Sequence, residues 1–129
     1  KQTSNSTALA QMVVERIMAV PASTNTILTI TDCANNVTNL STSAGGPSVT
    51  SSGDLDFTAA TVANYYMLYT DCDLNGHQAT YDVRWNVQAI PGSTYAKLLT
   101  VSAQLKSAGN NRMVFAPVAT IRTIVGQGT

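Results

Sequence analysis

The sequence predicts an α+β domain in which one amphipathic helix packs on an antiparallel sheet. Three observations lead there. Apolar residues recur at helical spacing near the start, an Asn-, Ser-, Thr- and Gly-rich stretch follows, and apolar and polar residues then alternate through the final third. A chain of 129 residues with 44% hydrophobic content suits one domain with a core of ordinary size.

From Thr7 to Val20 the apolar residues Leu9, Met12, Val13, Ile17 and Val20 line one stripe, with Gln11, Glu15 and Arg16 largely on other faces. Ser6 or Thr7 can cap the start. Pro21 ends the helix, because the residue before a proline is pushed out of helical geometry. Residues 1–21 therefore read as the helix, 22–61 as a variable loop region with short strands, and 62–129 as the sheet.

Within the loop region, Ile27 to Thr31 is a strand candidate, while Ala44-Gly45-Gly46-Pro47 and Ser51-Ser52-Gly53-Asp54 are turn signals. Asp56 or Thr58 can cap a short helical turn over Ala59 to Ala63, and Tyr65 to Tyr69 reads as a largely buried strand. Tyr81, Val83, Trp85, Val87 and Ala89 alternate with Asp82, Arg84, Asn86 and Gln88, the pattern of a strand with one core face and one solvent face. Pro91-Gly92-Ser93 turns the chain into a second alternating strand, Lys97 to Leu105. After a turn at Ser107 to Asn111, a third strand from Arg112 to about Ile124 completes a C-terminal three-stranded meander. Pro117 places that last strand at an edge or bulge.

Seven basic and seven acidic residues balance, so no cationic field steers the chain onto nucleic acid or anionic lipid. The surface is poor in charge and rich in hydroxyls, a composition common outside the cytoplasm. No apolar run approaches the ~20 residues that span a bilayer, and no signal peptide is visible. Cys33 and Cys72 each follow a Thr-Asp pair and are expected to form a disulfide in an oxidising compartment; two buried thiols are the alternative.

Asp71, Asp73, Asn75 and Asp82, with Gly76 between them, have spacing similar to a calcium loop; a tight turn capped by Asp and Asn accounts for the same residues. His77, the lone histidine, joins Cys33 and Cys72 as a weak zinc set without paired C-x-x-C ligands, and an exposed turn histidine explains it better. No nucleophile stands beside it in a recognisable pattern, and no glycine-rich phosphate loop occurs, so an enzyme is not expected and neither is a cofactor. Trp85, Tyr65, Tyr66, Tyr69 and Tyr81 can form either a sugar platform or a core, and their strand positions favour the core. Asn5-Ser6-Thr7, Asn36-Val37-Thr38 and Asn39-Leu40-Ser41 match the short N-glycosylation pattern.

The order of elements resembles type IV pilins and the pseudopilins of type II secretion, and more closely the PilV-type minor pilins. The likeness is carried by Tyr81-Asp82-Val83-Arg84-Trp85-Asn86-Val87 before a turn, then Lys97-Leu98-Leu99-Thr100-Val101-Ser102-Ala103, then Thr120-Ile121-Arg122-Thr123. Ala8 to Ile17 is similar to the later half of a pilin's long first helix. The resemblance implies a soluble pilin-like domain lacking its N-terminal hydrophobic helix, with that segment and a prepilin cleavage site ahead of Lys1. It implies a structural, non-catalytic minor pilin that takes part in type IV pilus assembly or priming. Other minor and major pilins would be its partners. It would be held in the inner membrane facing the periplasm before assembly, and afterwards reside in the pilus at the cell surface. Leu9, Met12, Val13 and Ile17 would be its interaction stripe, covering the sheet, while Ala8, Ala10 and Val14 on the flank face a neighbour. Two alternatives are a type II secretion pseudopilin and a secreted adhesion or carbohydrate-binding β-domain.

Overall fold

The computed structural model describes residues 2–19, 27–72, 78–108 and 118–126. Helix α1 spans Gln2–Met18. The strands are β1 (Ile27–Thr31), β2 (Val37–Ser41), β3 (Tyr66–Cys72), β4 (Gln78–Ala89), β5 (Lys97–Ala108) and β6 (Ala119–Val125). β1 and β2 form a two-stranded antiparallel sheet. The other four form a second antiparallel sheet in the order β3-β4-β5-β6. The expected α+β, pilin-like class is therefore corrected. Among the described residues the fold is mostly β, with one 17-residue helix set against six strands in two sheets.

The departure originates in the segment read as variable loop. Val37-Thr38-Asn39-Leu40-Ser41 has no strict apolar alternation, yet it pairs with β1 from Ile27↔Ser41 to Thr31↔Val37. Its inward residues, Leu40 and the partly covered Thr38, meet Leu28 and Ile30 across the hairpin. The expected helical turn over Ala59 to Ala63 does not form; the chain turns just before it, where Asp56 accepts from the Thr58 amide at 2.9 Å and the Thr58 hydroxyl at 2.6 Å.

The helix starts earlier than its cap residues suggest, since Ser6 lies inside α1 and is buried rather than capping it. Leu9, Ala10, Val13, Val14 and Ile17 bury against β5 and β6, with a lesser contact to β4. At the far end, the Arg16 guanidinium donates to the Thr29 carbonyl at 2.7 Å, tying the helix to β1. Pro21 lies outside the described residues.

On the helix side of the sheet, Tyr81, Val83, Trp85 and Val87 of β4 stand opposite Leu105, Ala103, Val101 and Leu99 of β5. All eight are buried, and Trp85 is fully so. The alternation therefore locates the core correctly. β6 is an edge strand, as the proline argument expects, although Pro117 and Gly109 to Asn111 lie outside the described residues.

The opposite face of β4 and β5 is expected to meet solvent, and Gln88 does, but the middle of that face is covered. Asp82, Arg84, Asn86, Thr100 and Ser102 are all buried there. The segment 42–65 covers them. It first extends the sheet past the end of β3: the Tyr65 carbonyl accepts from Trp85 N–H at 3.0 Å, and Gly45 and Val87 exchange two backbone bonds of 2.8 and 2.9 Å. Gly46 follows at φ 105°. A Cβ there would lie 2.5 Å from the Trp85 carbonyl oxygen, so only glycine admits this approach. The turn reading of Gly45-Gly46 misses that role. The molecule thus has three layers: helix, sheet and covering segment.

Candidate functional site

The one modified bond anticipated from sequence is present: Cys33 and Cys72 form a disulfide, with a sequence separation of 39. It stands beside a carboxylate hub. Asp32 Oδ1 accepts from the amides of Ala34 and Asn36 at 3.0 and 2.9 Å. Its Oδ2 accepts from the Thr70 amide at 2.9 Å and the Asn36 side chain at 3.1 Å. Burial raises the Asp32 pKa, but the Thr70, Asn36 and Ala34 donors outweigh it and hold the carboxyl below its ordinary value. Together these bonds fasten the β1–β2 hairpin to the outer edge of β3. The Tyr69 hydroxyl nearby has its pKa pushed up by burial and then by the Asp71 and Asp32 carboxylates.

The calcium-like set is not assembled among the described residues. Asp73 and Asn75 lie outside them, as does His77. Asp71 pairs with Ala79 and Asp82 with Leu68, positions an odd number of residues apart, so the two carboxylates project from opposite faces of β3 and β4. Asp82 is also engaged, because Arg84 grips it through Nε and Nη2 at 3.1 Å each. No group of three or more His, Cys, Asp or Glu stands in metal-holding proximity among the described residues.

Arg84 is the centre that sequence reasoning missed. Besides Asp82, its Nη1 donates to the carbonyls of Asp56 at 3.3 Å and Ala59 at 2.9 Å, and the Phe57 ring lies 4.9 Å from the guanidinium carbon. Neighbouring contacts extend the fastening: Asn86 Nδ2 to the Pro47 carbonyl at 2.9 Å, Leu55 N–H to Ser102 Oγ at 3.4 Å, and Arg122 Nε to Thr100 Oγ1 at 3.2 Å. The sole signal in sequence is a run of polar residues alternating with a core strand. That pattern is the same whether the polar face meets water or a covering loop.

The stripe of Leu9, Met12, Val13 and Ile17 lies mostly within the domain, with Met12 partly covered and the others buried. Ala10 and Val14, assigned by sequence to a neighbour-facing flank, are buried on the sheet too. The residues the helix leaves outward include Ala8, Gln11, Glu15 and Met18, which fall on one side at three- and four-residue spacing, with Met18 56% exposed. Gln11 Nε2 donates to Glu15 Oε2 along it at 3.3 Å. Trp85, Tyr81 and Tyr65 are core residues, so the sugar platform that included them does not form. Tyr65 spends its hydroxyl on the Ser43 carbonyl at 2.7 Å.

Among the described residues the three buried charged side chains, Asp32, Asp82 and Arg84, all hold segments of the chain together. No helix among the described residues is long and apolar enough to cross a membrane. The chain matches no protein-family model, and no curated protein or solved structure matches it.

Proposed function

We propose that this domain is a structural, non-catalytic assembly subunit of the minor-pilin kind, which joins other subunits through one side of α1. The observation that carries the reading is the division of the helix. One side is consumed by the sheet, while Ala8, Gln11, Glu15 and Met18 leave a lightly charged stripe along which a second helix can lie. The buried Arg84 and Asp82 add to it, because side chains that often perform chemistry are here committed to holding the 42–65 segment. Other minor and major pilins are the proposed partners, with the inner membrane and then the pilus as the site of work.

The codons upstream of Lys1 in the native gene test the reading first. A short basic leader ending in Gly, followed by about 20 apolar residues, is the expected result; an upstream region without such a segment overturns the pilin class. Cysteine cross-linking of the full-length protein then tests the surface. Gln11→Cys should capture another helix-bearing subunit, and Tyr95→Cys, on the turn between β4 and β5, should not.

A further inference from the structure

Between the two sheets lies a groove of about 510 Å³. It is lined on one side by Asn36 to Asn39 of the β2 region, and on the other by Ala63, Asn64 and Tyr66 to Leu68. Among the described strands β2 is bonded only to β1 and β3 only to β4, so the free edges of the two sheets face each other here. They are joined at both ends. Ser41 N–H donates to the Asn64 carbonyl at 2.9 Å at one end, and Cys33 N–H to the Thr70 carbonyl at 3.4 Å at the other, where the disulfide reinforces the closure. Among the described residues no backbone bond crosses the middle. Backbone donors and acceptors on both walls are therefore open to a ligand.

We propose that this groove is a binding site for a neutral carbohydrate. Three features select that class. No described residue lining it carries charge at neutral pH, which disfavours phosphates, carboxylates and basic peptides. Asn39 and Asn64 supply side-chain amides and Thr38 a hydroxyl, groups that donate and accept at once and so suit vicinal sugar hydroxyls. The half-buried Tyr66 ring, with exposed Val37 and Leu68, offers the apolar surface on which the C–H face of a pyranose rests. The closed ends decide against the rival occupant. An added peptide strand must sit about 4.8 Å from each neighbour along its whole length, and the pinned ends leave no such lane. A compact ring entering from the surface meets no such obstacle. The inference does not depend on the assembly role, since the groove lies apart from α1.

The test is a titration of ¹⁵N-labelled protein with cellobiose, lactose, maltose and chitobiose, each to tens of millimolar, followed by amide spectra. At least one disaccharide should move the side-chain amides of Asn39 and Asn64 and the backbone amide of Tyr66. Asn39→Ala and Tyr66→Leu should each weaken that response at least about tenfold while the dispersed spectrum is kept, and Tyr95→Leu should leave it unchanged. Silence with all four sugars overturns the proposal. So does a response that both groove variants retain, or one produced by an uncharged extended peptide and by none of the sugars.

Discussion

Arg84 and Asp82, two residues apart on β4, close a bidentate ion pair on the buried face of the sheet, and the same guanidinium holds the carbonyls of Asp56 and Ala59 above it. Four of its five N–H groups are used in this way. Truncating one partner leaves the other charge buried and unpaired, at a cost of about 3–5 kcal/mol. Arg84→Ala should therefore lower stability by that order in urea unfolding. It should also open the 47–60 segment to limited proteolysis under conditions where the parent resists. Asp82→Leu combined with Arg84→Met should be less damaging than the sum of the single changes, because the pair then departs together. An additive double variant would show that the pair is not the fastening.

Asp32 makes stability depend on acid. Its folded pKa lies below the ordinary value of 3.8 despite the opposing effect of burial, because the Thr70, Asn36 and Ala34 donors favour the charged form. Its contribution is thus fully present above 3.8 and disappears as pH falls through the lower folded value. Asp32→Asn should destabilise by about 1–3 kcal/mol near neutral pH. The gap to the parent should narrow as the medium is acidified past that range, measured by urea unfolding across it. A gap that is constant with pH would remove the carboxylate from the account.

The two readings that sequence handled differently, the core of the sheet and its opposite face, differ in what alternation encodes. Tyr81, Val83, Trp85 and Val87 announce burial by their own chemistry. Asp82, Arg84, Asn86, Thr100 and Ser102 announce only that they are polar, and their partners Pro47, Leu55, Asp56 and Ala59 come from a distant turn-rich stretch. The β1–β2 hairpin was half legible for a similar reason. Ile27 to Thr31 carries enough β-branched residues to be seen, whereas Val37 to Ser41 contains Asn39 and takes its strand geometry from its partner. Missing that second strand tilted the class toward α+β. On the helix, periodicity located Leu9, Val13 and Ile17 on the sheet, but the covered arc is wider than the stripe and takes in Ala10 and Val14.

Reducing the disulfide should loosen the hairpin before the main sheet. Cys33 and Cys72 close a 39-residue loop, which on the chain-entropy model stabilises by about 4 kcal/mol. Cys33→Ser with Cys72→Ser should lose up to that amount. In hydrogen exchange the loss of protection should concentrate in β1, β2 and the β3 edge, because only hydrogen bonds, from Asp32, Ser41, Arg16 and the amide of residue 33, then hold the hairpin. Uniform loss across β4 and β5 would mean that the hairpin and the four-stranded sheet unfold as one unit.

Gly46 tests whether the covering segment is fixed by backbone approach or only by side chains. At φ 105° an L side chain is strained, and its Cβ would press to 2.5 Å of the Trp85 carbonyl oxygen, a backbone atom in the central part of β4 that cannot swing aside. Gly46→Ala should cost about 2 kcal/mol or more. The movement it forces should separate Gly45 from Val87, whose two bonds hold the start of the segment. Gly92→Ala is the matched comparison. It has a similarly positive φ of 84°, but nothing lies within 4 Å of its would-be Cβ, so it carries the conformational penalty without the clash. The difference between the two variants in thermal unfolding isolates the close approach. If Gly46→Ala costs no more than Gly92→Ala, the segment can shift away from β4 freely, and side-chain contacts such as those of Arg84, Asn86 and Ser102 hold it down.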